Sequence, residues 1–93
     1  VRRFALEPNT PNPFNPLTTI HFELDRAGPA VLRVFSVNGA LVRTLVQKQL
    51  PPGRYRSQWD GRDEQGRPVG SGVYIYRLTA GARVLARKMS LLK

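Results

Sequence analysis

This sequence predicts an all-β protein, a sandwich of about seven short antiparallel strands. Apolar and polar residues alternate over most of its length, turn formers break the alternation at roughly every 8–12 residues, and no stretch carries a convincing helical period. Ninety-three residues leave room for one domain with a modest core.

Residues 7–17 hold four prolines and three asparagines, which suppress both helix and ladder pairing. We read 1–17 as a Pro/Asn-rich linker or opening segment, with its aromatic Phe14 pinned onto the sandwich, and 18–93 as the sandwich itself. From Thr18 the period becomes two: Ile20, Phe22 and Leu24 alternate with Thr19, His21 and Glu23, as a half-buried strand requires. Arg26-Ala27-Gly28-Pro29 breaks the strand, and Ala30 to Ser36 forms the next, with Leu32 and Val34 opposite Arg33.

Asn38-Gly39 then gives a hairpin signal, because both residue types tolerate positive φ. Leu41 to Leu50 is the return strand. Its apolar spacing also fits two helical turns, but β-branched residues and flanking Gly and Pro favour a strand with a bulge near Arg43-Thr44. Pro51-Pro52-Gly53 ends it. Tyr55, Ser57 and Trp59 share one face of the following strand, with Trp59 as a core anchor. Residues 60–68 are a polar connection rich in turn formers. Gly72 to Ala80 has the strongest β-propensity in the chain, Gly81 turns it, and Arg83 to Leu92 closes the fold with Leu85, Met89 and Leu91 on one side.

Composition narrows function by exclusion. Without cysteine there is no disulfide, thiolate ligand or thiol nucleophile. No apolar run approaches the ~20 residues of a membrane-spanning helix. The chain opens on Val1 without a secretory leader pattern, as a piece of a longer protein would. The net charge of +9 favours anionic partners. Yet the basic residues stand singly apart from Arg2-Arg3 and Arg87-Lys88, which fits solvated strand faces better than a nucleic-acid contact.

Catalytic chemistry finds little support. His21, the single histidine, falls on the polar side of its strand. Asp60, Asp63 and Glu64 cluster in the polar loop, but Arg62 stands where a calcium loop wants an oxygen, so turn capping by Asp60 is expected instead. Tyr74, Tyr76 and Leu78 share a strand face, which in a small sandwich belongs to the core before it belongs to a sugar- or base-binding strip. No enzyme activity, cofactor or metal is expected.

Taken in order, Asn12-Pro13-Phe14-Asn15-Pro16, Thr18-Thr19-Ile20-His21-Phe22, Val37-Asn38-Gly39, Gly53-Arg54-Tyr55, Trp59-Asp60-Gly61-Arg62-Asp63, Gly66-Arg67-Pro68-Val69, Ser71-Gly72-Val73-Tyr74 and Lys88-Met89-Ser90-Leu91-Leu92-Lys93 resemble the C-terminal sorting domains of type IX secretion cargo (the Por kind, type A). Their pattern overlaps that of the Ig-like domain of the flagellar hook-capping protein. The resemblance covers about residues 8–93 and implies an immunoglobulin-like antiparallel β-sandwich. It also implies a non-catalytic domain carried by a larger cargo chain, exported through the periplasm and across the outer membrane to the cell surface. The implied partners are the secretion translocon, a sortase that cuts near residues 7–17, and anionic lipopolysaccharide. The positions it implies for recognition by the machinery are Gly53, Tyr55, Gly72, Tyr74, Lys88 and Lys93. The ending Leu91-Leu92-Lys93 agrees with the family's C-terminus. A last strand showing Arg87, Lys88 and Lys93 on its exposed side would offer an edge for strand addition together with positive charge. A structural module of a hook-capping type protein and a carbohydrate-binding module are the alternatives.

Overall fold

A computed structural model describes residues 3–93; Val1 and Arg2, the latter half of one predicted basic pair, lie outside the described residues. Seven strands follow one another: β1 Ala5–Leu6, β2 Thr18–Leu24, β3 Gly28–Ser36, β4 Leu41–Leu50, β5 Gly53–Trp59, β6 Gly72–Ala80 and β7 Arg83–Leu91. They divide into a three-stranded sheet, β1-β2-β5, and a four-stranded sheet, β4-β3-β6-β7, antiparallel throughout. No helix occurs among the described residues.

The two-residue period decides which side chains meet between the sheets. Ile20, Phe22 and Leu24 from β2 face Ala30, Leu32 and Val34 from β3 and Tyr76 and Leu78 from β6, all buried. Each large aliphatic or aromatic side chain so removed from water is worth about 1.5–3 kcal/mol. At one end of the sandwich Trp59, fully buried, has Tyr74 edge-on at 5.3 Å and Phe14 tilted at 5.6 Å between ring centroids. We call this the Trp59 end. The opposite end is tied by a two-pronged ion pair from Arg83 to Asp25, at 2.7 and 3.0 Å, with the Arg83 guanidinium 4.4 Å over the Phe4 ring.

The β3–β4 hairpin turns at Asn38-Gly39, with Gly39 at φ 90° and its N–H donating to the Ser36 carbonyl at 3.0 Å. The region is one where a Cβ would be strained, so glycine suits it. Pairing of β3 with β4 slips twice, leaving Val42 and Leu45 as extra residues on either side of the expected Arg43-Thr44 bulge. The two insertions explain the ambiguous spacing of this strand: each one shifts the apolar alternation by one residue.

The proline-rich opening segment lies on the sandwich. Ala5–Leu6 pairs with β2, Thr10 bridges Thr19, and Phe14 is buried at 2 % exposure. The Phe14 N–H donates to the Ser90 carbonyl at 3.0 Å, and the Leu92 N–H returns a bond to the Phe14 carbonyl at 2.9 Å, a short parallel bridge to β7. Asn9 and Thr18 share a buried hydrogen bond of 3.0 Å beneath it. Burying the Phe14 ring against Trp59 brings its backbone alongside the last strand.

Candidate functional site

Each of the two Gly-x-Tyr motifs builds the same local device. The Tyr55 hydroxyl donates to the Pro51 carbonyl at 2.5 Å and the Tyr74 hydroxyl to the Gly70 carbonyl at 2.7 Å, four residues upstream in both cases. Such tyrosine corners fasten a strand to the loop that leads into it. Tyr55 also stacks on Phe22, with centroids 5.5 Å apart, and covers Gly53. Burial pushes the Tyr74 phenol up from its ordinary value.

The six residues implied for recognition do not form one patch. Gly53 and Tyr55 open β5, whereas Tyr74 packs on Trp59 at the other end of that strand, roughly 20 Å away for seven residues. Gly72, Tyr74 and Lys93 gather at the Trp59 end, where the Lys93 N–H donates to Ser71 Oγ at 3.0 Å. Lys88 is exposed on the outer face of the four-stranded sheet, paired in register with Ile75.

Two expectations about the last strand need correction. Arg87 is exposed as expected, but not on the same face as Lys88: it shares the parity of Met89 and Leu91, and its Nε donates to the Leu6 carbonyl at 2.5 Å. The strand is also not a bare edge to its end, because residues 12–14 occupy Ser90 and Leu92, including a bond of 2.9 Å from the Ser90 N–H to Asn12 Oδ1. The core demand of Phe14 closes the last part of that edge. Uncovered edge remains along β5, along the later part of β4 and along β7 ahead of Ser90. The start of β4 is capped by Glu64, whose N–H donates to the Val42 carbonyl at 3.0 Å and whose Oε1 accepts from the Thr44 N–H at 2.5 Å.

The polar loop behaves as turn chemistry demands. Asp60 Oδ1 accepts from the Arg62 N–H at 3.2 Å, and Asp63 Oδ1 from the Gln65 and Arg67 N–H groups, both at 3.0 Å. These bonds, that from Arg67 first, hold the Asp63 carboxyl below its usual value. His21 is exposed in mid-strand opposite Arg56, beside a shallow groove of about 400 Å³ that also involves Glu7, Glu23 and Arg54. The Asp60–Glu64 acids do not line that groove. Trp59, Tyr74 and Tyr76 are core residues, with the Tyr76 hydroxyl tied to the Glu7 carbonyl at 2.7 Å, and cannot form a sugar platform.

What reaches the solvent is charge, unevenly spent. All six acids are engaged: Glu7 and Glu23 by Arg3, Asp25 by Arg83, Asp60 by Arg43 and Arg62, Asp63 by Arg67, and Glu64 by Arg43. Arg33, Arg77 and Lys88 have no acid within ion-pair distance, and all three stand on the outer face of the four-stranded sheet. Sequence reasoning passed over this group, although the outward positions of β3 and β6 could have been read off for the acids they lack.

An immunoglobulin-like antiparallel sandwich is the class that these features define. The family model of the FlgD Ig-like domain matches residues 14–83, most of the chain, and the chain belongs to that family. Among solved structures it is similar to a portion of dimeric latent PorU from Porphyromonas gingivalis, at TM-score 0.72 and 18% identity over 99% of this chain and 10% of that one. It is also similar to a portion of PorZ, described as an essential bacterial surface component of the type-IX secretion system of the same organism, at TM-score 0.60 and 20% identity over 92% and 11% of the two chains. The chain thus spans about a tenth of either protein. No curated protein matches it.

Proposed function

We propose that this domain is a non-catalytic sorting and attachment module, carried by a larger cargo protein and read by type IX secretion machinery on the way through the periplasm to the cell surface. The observation that carries this reading is the near-complete overlay of the chain on a tenth of PorU, which fits a self-contained module appended to a larger body. The order of the Gly-x-Tyr, Trp59-Asp60-Gly61 and terminal Lys88–Lys93 segments supports it. In this reading the two tyrosine corners preserve the shape that is recognised, while Lys88 and Lys93 offer charge to the translocon, to the sortase or to anionic lipopolysaccharide. The domain itself performs no chemistry.

The family match favours a second reading, a structural Ig-like module in a flagellar hook-capping type of protein. A reporter separates the two. Residues 1–93 are fused behind a periplasm-directed fluorescent protein in a host with type IX machinery and in its translocon-deficient counterpart, and surface protein is read by added protease. Surface display in the first host alone is expected. Retention in the periplasm of both would defeat the sorting reading and leave the structural one.

A further inference from the structure

The register of the four-stranded sheet fixes what its outer face presents. One row across all four strands is Leu41, Phe35, Ile75, Lys88; the next is Thr44, Arg33, Arg77, Ala86; a third is Gln47, Val31, Thr79, Val84. Outward positions of an antiparallel sheet that faces water are ordinarily polar and of mixed sign. Here no row contains a carboxylate, and aliphatic or aromatic side chains recur in place of polar ones. Val73, Leu41 and Val84 are 43%, 50% and 53% exposed.

Arg33 and Arg77 are direct cross-strand partners, an arrangement of like charges that costs stability. The two guanidinium groups lean apart: Arg33 Nε donates to Thr44 Oγ1 at 3.2 Å, and Arg77 lies 4.3 Å over the Phe35 ring. Both are thereby held above an apolar floor without a counter-ion. Nothing in the fold requires them there, since strand backbones pair without them and the core lies on the other side.

We infer that this face is a docking surface for a partner protein whose own surface sets carboxylates among aliphatic side chains. Charge complementarity selects that occupant. A second copy of this chain would bring the same unpaired cations, and its six acids are already engaged. The apolar rows give contact area, and the splayed guanidinium pair gives two forks for carboxylates, the geometry in which arginine binds them best. The inference concerns the sandwich alone and holds whether or not the domain directs secretion.

The test uses labelled peptides in place of the partner: one alternating Glu and Leu, one alternating Glu and Ser, one alternating Lys and Leu. The whole domain should bind the Glu-Leu peptide, with NMR shifts confined to the rows around Arg33 and Arg77, and bind the other two more weakly. R33Q/R77Q should weaken it by about tenfold or more, whereas R54Q/R56Q, which removes equal charge from the other sheet, should not. Thermal stability of R33Q/R77Q should be unchanged or raised, which separates lost binding from lost folding. Equal loss in the two double variants, or no binding of the Glu-Leu peptide, overturns the proposal. So does binding of phosphatidylglycerol vesicles through these rows without any peptide binding, because the face would then serve a membrane.

Discussion

Replacing Phe14 with Ala tests whether the proline-rich opening segment is part of the folded unit. The ring is 2 % exposed and lies 5.6 Å from Trp59, so truncation removes a full aromatic contact and leaves a cavity beside the largest core side chain. Such changes cost about 3–5 kcal/mol. In a domain whose total stability is of order 5–15 kcal/mol, that is a large share. At about 4–8 °C per kcal/mol for this size, the thermal midpoint should fall by roughly 12–40 °C. The loss should also be felt locally. The Leu92 N–H, which donates to the Phe14 carbonyl at 2.9 Å, should exchange with solvent far faster once the segment is loosened. Circular dichroism melts and amide exchange measure the two effects, and Leu17→Ala, at a 44% exposed neighbour, should move the midpoint by no more than ~0.5 kcal/mol equivalent. A Phe14→Ala protein that loses less than about 1 kcal/mol and keeps Leu92 protected would refute the packing argument.

The other expectations are smaller. Tyr76→Phe removes the buried hydroxyl that donates to the Glu7 carbonyl and should cost about 1–2 kcal/mol in urea unfolding, more than Tyr55→Phe, whose hydroxyl bond is exposed. In acid, Asp25 is held low by its hydrogen bond from Arg83 and Asp63 by the Arg67 N–H, so their stabilisation is present above the ordinary carboxylate value of ~3.9 and is lost as pH falls through the lowered folded values. In base, burial raises the Tyr74 and Tyr76 phenols, so their contribution is complete below the unfolded value of ~10 and disappears as pH rises toward the folded ones. Urea midpoints should therefore be flat between these limits and fall outside both; a steep decline centred near neutrality would contradict the assignment.

Much of the fold was legible because the two-residue period survives wherever a strand has one wet face. Thr18 to Leu24 and Gly72 to Ala80 could be placed with their buried sides from alternation alone. Leu41 to Leu50 was harder, since the extra residues Val42 and Leu45 break the alternation in a way that imitates a helix. Ala5–Leu6 went unread because two residues carry no period. The covering of β7 by residues 12–14 could not be read locally at all: it depends on a contact between Phe14 and Leu91, far apart in sequence. Arg87 was a different matter, since its even spacing from Met89 and Leu91 already set it on the face opposite Lys88, where it stays exposed. The surface site was the least visible part. Single basic residues look like ordinary solvated positions until register aligns Arg33 with Arg77 and shows that no acid accompanies them.

Under the proposed sorting function, the information resides in the closed sandwich rather than in a linear stretch of it. The most direct measurement fuses the native domain and its Trp59→Ala form, which loses the buried anchor shared by Phe14 and Tyr74, to the same reporter and compares surface display. Display of the native fusion with periplasmic retention of the Trp59→Ala one is the predicted result. Equal display of both would contradict it.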